Sequence, residues 1–330
     1  MEMKNVSVDT TAVNDSRLQT AVLFLVFNRP DTTAKVFEAI RKARPPRLYV
    51  AADGPRASRS GEWEIVAEVR AIATAVDWDC EVKTLFRERN LGCKNAVSSA
   101  ITWFFEHEEQ GVILEDDCLP HPDFFMFCET LLKRYAGDTR ISTITGNNFQ
   151  NGIARGDASY YFSRYSHIWG WATWERAWGQ ADMDLEFWPV WKKSRAWANF
   201  WSDKTARRYW ERIFDRMRLA EIDTWDYPWM ASVWYHGGLT AVPNVNLVSN
   251  IGFGPDATHT QRDDSPLANL QAESIGDLQH PIKIEQNEEA DRYTFEHLFG
   301  GGFLRFPNSL LRFPRRAVGV TYRFLKRALA

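Results

Sequence analysis

Three consecutive carboxylates, Glu115, Asp116 and Asp117, form the group of side chains in this sequence best suited to chemistry. They directly follow the apolar residues 111–114, which predict a strand buried on both faces, so the triplet would emerge at a strand end. Adjacent carboxylates repel one another unless a cation lies nearby. Mg²⁺ and Mn²⁺ bind oxygen, often one or two carboxylates together with substrate phosphates. The triplet therefore predicts a divalent-cation site, and the alternative is a solvated acidic turn.

Short polar sequences follow three other apolar segments: Asn28-Arg29-Pro30, Asp53-Gly54-Pro55 and Asn90-Leu91-Gly92. Taken singly, each is typical of a turn or a helix cap. Taken together, they would converge with the acidic triplet if the segments were neighbouring parallel strands. Ligands bind beyond the carboxyl ends of such strands, so this edge is where we expect the functional site.

The elements that position these residues follow from an alternation of apolar runs and helical patterns between residues 21 and 145. We predict strands at residues 21–27, 48–52, 81–86, 112–114 and 141–145, and helices at residues 31–44, 62–76, 92–106 and 122–135. Strands that alternate with helices of this length indicate an α/β fold, with a mostly parallel sheet covered by helices on both faces.

Composition is that of a globular protein: the chain has 330 residues, 45% hydrophobic and 25% charged, with a net charge of -3. The near-neutral charge disfavours a general nucleic-acid-binding protein. No apolar run reaches the roughly 18 residues needed to span a bilayer, and the polar residues 1–19 lack a signal-peptide pattern and predict a disordered leader. Four scattered cysteines fit a reduced, cytoplasmic protein.

Tryptophan is unusually frequent, since 15 are present and most lie between Trp169 and Trp234. Their partly helical spacing predicts that most of them belong to the core. Aromatic faces also stack on the apolar faces of sugar rings, so a minority could line a groove for a glycan.

The last 30 residues carry seven basic residues and no acidic one, interleaved with phenylalanine and leucine. Such a segment is typical of a helix on an anionic membrane surface. The alternative is a C-terminal helix docked on the catalytic domain or on a second subunit.

The sequence resembles the inverting nucleotide-sugar glycosyltransferases of the GT-A fold, in particular the N-acetylglucosaminyltransferase I group and related bacterial glycosyltransferases. That group also has Glu-Asp-Asp as its metal motif. The likeness continues in order through residues 122–125, 142–152 and 170–171, the sequence Trp225-Asp226-Tyr227-Pro228-Trp229, and Phe253-Gly254 followed by His259. It covers about residues 20–262, and it departs where Tyr227-Pro228 replaces the second aspartate of the group's Trp-Asp-Asp-Trp motif.

The resemblance implies a role for each matched residue. Arg29 would contact the uracil or the diphosphate of the donor, Asp53 the base, and Asp116 the ribose or the metal shell. Asp117 would ligate Mn²⁺ or Mg²⁺ directly. The implied nucleotide-sugar site comprises Arg29, Asp53, Asn90, Gly92, Lys94, Glu115, Asp116 and His259. The alternative for Lys94 is a plain surface lysine of its helix. For His259, the alternative to a contact with the diphosphate or the metal is a surface histidine.

Transfer to a hydroxyl by a single displacement needs one general base, and the resemblance favours Asp226 for it. Asp223 is the second candidate, and either residue could instead be a helix N-cap. The expected acceptor-binding residues are His167, Trp169, Trp171 and Trp225.

We therefore expect a metal-dependent transferase that moves a sugar from a nucleotide-diphosphate sugar to a glycan or glycolipid during assembly of bacterial surface polysaccharide. It would be cytoplasmic and peripheral on the inner face of the membrane through residues 301–330, with no nucleic-acid partner. The expected regions are a leader (1–19), a donor half (20–150), an acceptor half (151–262), a linker with a small helix (263–300) and the basic tail (301–330). The rivals are an inactive carbohydrate-binding protein with the same fold and a sugar-1-phosphate nucleotidylyltransferase.

Overall fold

The computed structural model describes residues 17–253 and 270–305. Its centre is an eight-stranded sheet with helices on both faces, which confirms the α/β class and the mostly parallel sheet expected from the sequence. No helix within these two ranges is both long enough and apolar enough to cross a bilayer.

Ten strands occur in the described ranges. They are β1 (Val22–Val26), β2 (Arg47–Ala52), β3 (Glu81–Phe86), β4 (Gln110–Glu115), β5 (Cys118–Pro120), β6 (Ile141–Thr145), β7 (Tyr160–Ser163), β8 (Trp171–Trp174), β9 (Leu239–Pro243) and β10 (Val248–Asn250). The five predicted strands are all present, and each lies within about two residues of its predicted limits.

The same ranges contain ten α-helices and one short 3-10 helix. They are α1 (Pro30–Ala43), α2 (Glu62–Ala73), α3 (Cys93–Phe105), α4 (Pro122–Arg134), α5 (Glu175–Trp178), α6 (Trp188–Trp191), α7 (Arg195–Phe200), α8 (Lys204–Arg218), α9 (Asp226–Tyr235), α10 (Glu288–His297) and the 3-10 helix Gly301–Leu304. Proline at the first turn begins α1 and α4, where its missing N–H has no intrahelical partner to lose.

The eight-stranded sheet has the order β3-β2-β1-β4-β8-β6-β9-β7. β3, β2, β1 and β4 are parallel, and their connections through α1, α2 and α3 form successive crossover units. β8 lies antiparallel between β4 and β6, while β6 and β9 are parallel. The carboxyl ends of β1, β2 and β4 therefore lie side by side, as the sequence predicted for the polar residues that follow them.

Successive side chains of β1, β2 and β4 point alternately into two different cores. On one face Val22 and Phe24 of β1 pack with Ile40 of α1 and Phe124 of α4. On the other face Leu23 packs with helices α3 and α9. Burial on both faces explains why these strands are continuous apolar runs in the sequence.

A third core around α8 and α9, called here the tryptophan-rich core, contains Trp188, Trp191, Trp197, Trp201, Trp210 and Trp234. Eleven of the tryptophans between Trp169 and Trp234 are buried, and only Trp169 is partly exposed. Edge-to-face ring pairs join them, such as Trp188 with Trp197 at 4.8 Å between ring centroids.

Residues 270–305 return along the sheet and pack against both halves of the chain. Asp291 of α10 accepts hydrogen bonds from the Ser163 hydroxyl (2.5 Å) and the Arg164 amide (3.2 Å). At the end of this segment, the Arg305 guanidinium pairs with Asp203 (2.5 Å). Helix α10 lies within residues 263–300, and residues 1–16 of the expected leader and 306–330 of the expected tail lie outside the described residues.

Candidate active site

A cavity of about 620 Å³ opens at the carboxyl ends of β1, β2 and β4. The N-terminus of α3 and residues 222–227 form its other walls. Eleven residues singled out from the sequence line it: Arg29, Asp53, Asn90, Gly92, Glu115, Asp116, Asp117, Trp169, Asp223, Trp225 and Asp226. The polar strand ends thus converge on one site, as we expected from the parallel sheet.

The acidic triplet lies at the end of β4 and is compensated by one arginine. Arg29 Nη1 lies 2.5 Å from Asp117 Oδ2 and 3.8 Å from Asp116 Oδ1. The other oxygen of Asp116 accepts the Phe27 backbone N–H at 3.0 Å. Three carboxyl groups therefore share one cationic partner.

Burial is the main influence on the pKa values of this acidic cluster. It raises the pKa of Asp116 to about 7, with the Asp117 charge adding to the shift and Arg29 opposing it. Burial also raises the pKa of Glu115 well above its ordinary value, and the charges of Asp117, Asp116 and Asp226 add to that effect. Because the charge of Asp226 reaches Glu115, the candidate base and the acidic cluster are electrostatic neighbours across the cavity.

The carboxylates fit a divalent cation that arrives with a substrate. Among the described residues, no three side chains of His, Cys, Asp or Glu converge into a ready-made metal centre, and in the acidic cluster the Arg29 guanidinium lies against Asp117. One or two carboxylates suffice when diphosphate oxygens complete the coordination shell. The Glu115 Oε1 atom is buried without a hydrogen-bond partner, as expected of a site short of cations.

The segment that begins with β10 passes directly over the acidic cluster. The Ile251 N–H donates to the Asp117 carbonyl at 2.8 Å. A Cβ atom at Gly252 would lie 2.3 Å from Asp117 Oδ2 and 2.6 Å from Arg29 Nη1. Only glycine therefore fits at this position, and the backbone covers the cluster without a side chain. His259, which follows in the same segment, lies outside the described residues.

Asp53 holds together the loops that follow β2 and β3. Its two carboxylate oxygens accept the Gly54 N–H at 2.8 Å, the Asn90 side-chain N–H at 2.9 Å and the Leu91 N–H at 2.9 and 3.1 Å. Burial raises its pKa despite these bonds. These contacts use about all the acceptor positions of a carboxylate. They give Asp53 a structural role, and its contact with a nucleotide base stays a prediction.

Asp223 and Asp226 have different partners although both line the cavity. The Asp223 oxygens accept the backbone N–H groups of Cys93 (3.1 Å) and Lys94 (3.0 Å), so Asp223 caps the N-terminus of α3 from 130 residues away. Asp226 begins α9 and accepts a hydrogen bond from the Thr224 hydroxyl. Neither aspartate is the N-cap residue of the helix that follows, which is Trp225, and Asp226 stays the candidate base.

The structure does not bring three other predicted residues to the cavity wall. Trp171 is fully buried in the sheet, where it stacks on Trp225 at 5.5 Å between ring centroids. His167 is buried, and burial lowers its pKa to about 3. Lys94 Nζ forms an ion pair with Asp184 at 2.7 Å.

Trp169 is a partly exposed aromatic residue of the site. It lies in the cavity wall and meets Phe253 edge to face at 5.8 Å between ring centroids. An accessible ring face beside polar groups is suited to a sugar.

Two cationic residues of the cavity were not singled out from the sequence. Arg56 and Arg87 line it near the ends of β2 and β3, and the Arg56 guanidinium lies over the Phe27 ring at 5.2 Å. In the sequence, only their positions could have pointed to the site, because Arg56 follows Asp53-Gly54-Pro55 and Arg87 directly follows a predicted strand. Asn250, at the end of β10, also lines the cavity.

Comparison with known proteins adds little beyond the architecture. No protein-family model and no curated protein matches the sequence. Solved structures with partial likeness include HddC from Yersinia pseudotuberculosis, at 8% identity, a TM-score of 0.31 and coverage of 48% of this chain and 78% of that chain. A UDP-glucose pyrophosphorylase complexed with UDP-glucose aligns at 9% identity and a TM-score of 0.26, over 49% of this chain and 70% of that chain.

A third structure, the 4-diphosphocytidyl-2C-methyl-D-erythritol synthase from Anaerococcus prevotii, aligns at 6% identity and a TM-score of 0.32. It covers 68% of this chain and 88% of that chain. All three alignments have sequence identities and TM-scores too low to assign this chain to a family. The function therefore follows from the cavity and its residues alone.

Proposed function

We propose that this chain is a metal-dependent inverting glycosyltransferase that takes its sugar from a nucleoside-diphosphate sugar, with a UDP-sugar as the proposed donor. The acceptor would be a hydroxyl of a glycan or glycolipid. One observation carries the proposal: a single cavity holds a buried acidic cluster, suited to a cation and a diphosphate, together with Asp226, suited to deprotonate a hydroxyl. The resemblance to GT-A enzymes of the N-acetylglucosaminyltransferase I group supports it.

On the donor side, Asp117 and Asp116 would hold Mn²⁺ or Mg²⁺, which neutralises the charge that develops on the departing diphosphate. Arg29, which already lies between the two aspartates, would then turn from Asp117 to a phosphate oxygen. Arg87 adds positive charge near the end of β3, whereas the Arg56 guanidinium is already paired with Glu62. These groups favour the transition state, in which the leaving group becomes more anionic.

On the acceptor side, Asp226 takes the proton of the attacking hydroxyl as that oxygen bonds to the anomeric carbon. The bond from the anomeric carbon to the diphosphate oxygen breaks with its electron pair, and the nucleoside diphosphate leaves. The hydrogen bond from Thr224 orients the Asp226 carboxylate. A single displacement of this kind inverts the configuration at the anomeric carbon.

Calorimetry with UDP and a panel of UDP-sugars, with and without Mn²⁺, tests the donor site. We expect binding that strengthens with Mn²⁺ in the wild type, and in Asp117→Asn a loss of at least about tenfold in the Mn²⁺-dependent part, since a charged oxygen ligand is removed while shape is kept. Asp157→Asn, an exposed aspartate outside the cavity, is the matched control. Unchanged Mn²⁺-dependent affinity in Asp117→Asn would contradict the assignment.

The released product separates the proposal from its rivals. A glycosyltransferase releases a nucleoside diphosphate and gives a product of inverted configuration. A nucleotidylyltransferase would release pyrophosphate from a nucleoside triphosphate and a sugar 1-phosphate. An inactive carbohydrate-binding protein would bind glycan without turnover and without any dependence on Mn²⁺.

A further inference from the structure

Helix α8 carries a continuous ridge of positive charge, defined here as the basic ridge: Lys204, Arg208, Arg212 and Arg216. All four side chains are exposed and follow one another at a spacing of four residues, so they share one face over the full length of the helix. The opposite face is buried in the tryptophan-rich core through Ala206, Trp210, Phe214 and Met217.

The acidic residues of α8 do not neutralise this ridge, because they bond to other elements. Glu211 accepts the Trp197 indole N–H of α7 at 2.9 Å. Asp215 accepts the Trp188 indole N–H at 3.0 Å and the Lys192 ammonium at 2.6 Å. Within the described ranges, Arg216 alone among the ridge residues has a carboxylate partner, Glu221. Like charges four residues apart destabilise a helix by a few tenths of a kcal/mol per pair, so the ridge has a cost that folding does not explain.

The basic ridge begins beside Arg305, after which the basic C-terminal sequence follows, and it ends beside the segment that forms the cavity wall. At its start, Asp203 caps α8 and binds Arg305, the last described residue. The sequence that continues from there, residues 306–330, contains six basic residues and no acidic one. At the other end, α8 is followed by Leu219, which is 69% exposed, and then by residues 222–227 of the cavity wall.

We propose that the basic ridge of α8 is a docking surface for anionic membrane lipid. Four aligned, exposed cations attract an anionic lipid surface, and the exposed Leu219 at their end adds an apolar contact. The chain also enters its basic C-terminal sequence beside the start of the ridge, so both cationic segments begin at the same place on the surface. A nucleic acid fits less well, because the net charge of the whole chain is -3.

Docking by this surface has a consequence for the cavity. An α-helix of 15 residues is about 22 Å long, so the ridge contacts a flat surface over a substantial length. Because its C-terminal end continues into the cavity wall, the bound enzyme holds the cavity close to the lipid headgroups. This consequence rests on the proposed function and suits a lipid-linked acceptor, whereas lipid binding by the ridge does not depend on that function.

Cosedimentation of the full-length protein with large vesicles tests the proposal. The vesicles are phosphatidylcholine with phosphatidylglycerol, and pure phosphatidylcholine is the neutral reference. The ridge variant is Lys204→Gln/Arg208→Gln/Arg212→Gln. The matched control, Lys42→Gln/Arg59→Gln/Lys283→Gln, removes the same charge from exposed positions elsewhere. Neither set touches the residues placed in the cavity.

We expect the ridge variant to lower the partition coefficient on anionic vesicles about a hundredfold, because each basic residue near such a surface strengthens binding about fivefold. The control should bind like the wild type, and added salt should weaken the wild type progressively. Arg208→Lys/Arg212→Lys keeps the charge and should retain binding, and equal melting temperatures confirm that all variants are folded.

Equal losses in the ridge variant and the control, or no loss in either, would overturn the proposal. So would a ridge variant that keeps its vesicle binding and instead loses affinity for polyuridylic acid, since the partner would then be a nucleic acid. Failure of the donor-binding experiment would leave these results unaffected, so the two proposals fail separately.

Discussion

Two aspartates three residues apart illustrate how the same side chain acquires different roles. Asp223 gives its oxygens to two backbone N–H groups of α3, which hold it as a helix cap. Asp226 accepts the hydroxyl of Thr224 and influences the charge of Glu115 across the cavity. The sequence predicted both residues as candidate bases. Asp223 is held by amides of α3 about 130 residues away, a contact that the sequence alone does not reveal, and this favours Asp226 as the base.

Asparagine at each position separates the two roles. We expect Asp226→Asn to lower turnover by roughly two to four orders of magnitude, the range for loss of a general base, with donor affinity nearly unchanged. Asp223→Asn keeps an acceptor oxygen for one of the two α3 amides, so its turnover should stay within about tenfold of the wild type. Steady-state kinetics with calorimetry of donor binding measures both effects. The reverse pattern would assign the base to Asp223.

At the scale of elements, the N-terminus of α3 joins the two halves of the cavity. Gly92 precedes α3 with a φ of +81°, and a Cβ atom there would lie 2.9 Å from Asp223 Oδ2. The residue therefore needs both the backbone freedom and the small volume of glycine. Through Asp223, the position of α3 is coupled to the segment that carries Asp226.

Gly92→Ala should disturb this coupling. We expect it to lower turnover about ten- to a hundredfold, because a small displacement of catalytic groups has effects of that size. Gly61→Ala is the control: Gly61 also has a positive φ, of +80°, but no atom lies within 4 Å of its added Cβ. Its backbone strain should reduce stability with little effect on turnover. Thermal unfolding and kinetics on both variants distinguish strain from loss of the Asp223 contact, and equal activity losses would count against the coupling.

The predicted and the unpredicted elements differ in how much local sequence specifies them. β1, β2 and β4 are apolar runs bounded by glycine, proline or polar residues, so their existence and their common edge could be predicted. β8 has four residues in a stretch rich in tryptophan, and it owes its antiparallel position to β4 and β6 on either side. The carboxylates of the site were predictable from strand ends. The Arg29–Asp117 pair and the Asp223 cap were not, because each joins residues about 90 or more positions apart.

At the scale of the whole molecule, the sheet and the tryptophan-rich core form one continuous structure. Tyr165 belongs to the tryptophan-rich core and Trp169 packs against the sheet core, and His167 lies between them in the chain. The His167 ring meets Phe149 edge to face at 4.8 Å. Residues 270–305 add to this continuity, because Asp291 binds Ser163 beside the sheet while Arg305 binds Asp203 beside α8.

His167 provides a test of this junction through the pH dependence of stability. Burial lowers the pKa of His167 to about 3 in the folded protein, from an ordinary value of 6.5. Between these values the unfolded chain binds more protons, so the free energy of unfolding falls as pH falls below 6.5. From pH 6.5 to pH 5 the loss attributable to His167 is about 2 kcal/mol. His167→Gln should remove this part of the pH dependence, whereas His236→Gln, at an exposed histidine, should keep it. Urea unfolding of the three proteins across this pH range measures the slopes, and parallel curves for the wild type and His167→Gln would show that His167 is hydrated and that the junction is open to water.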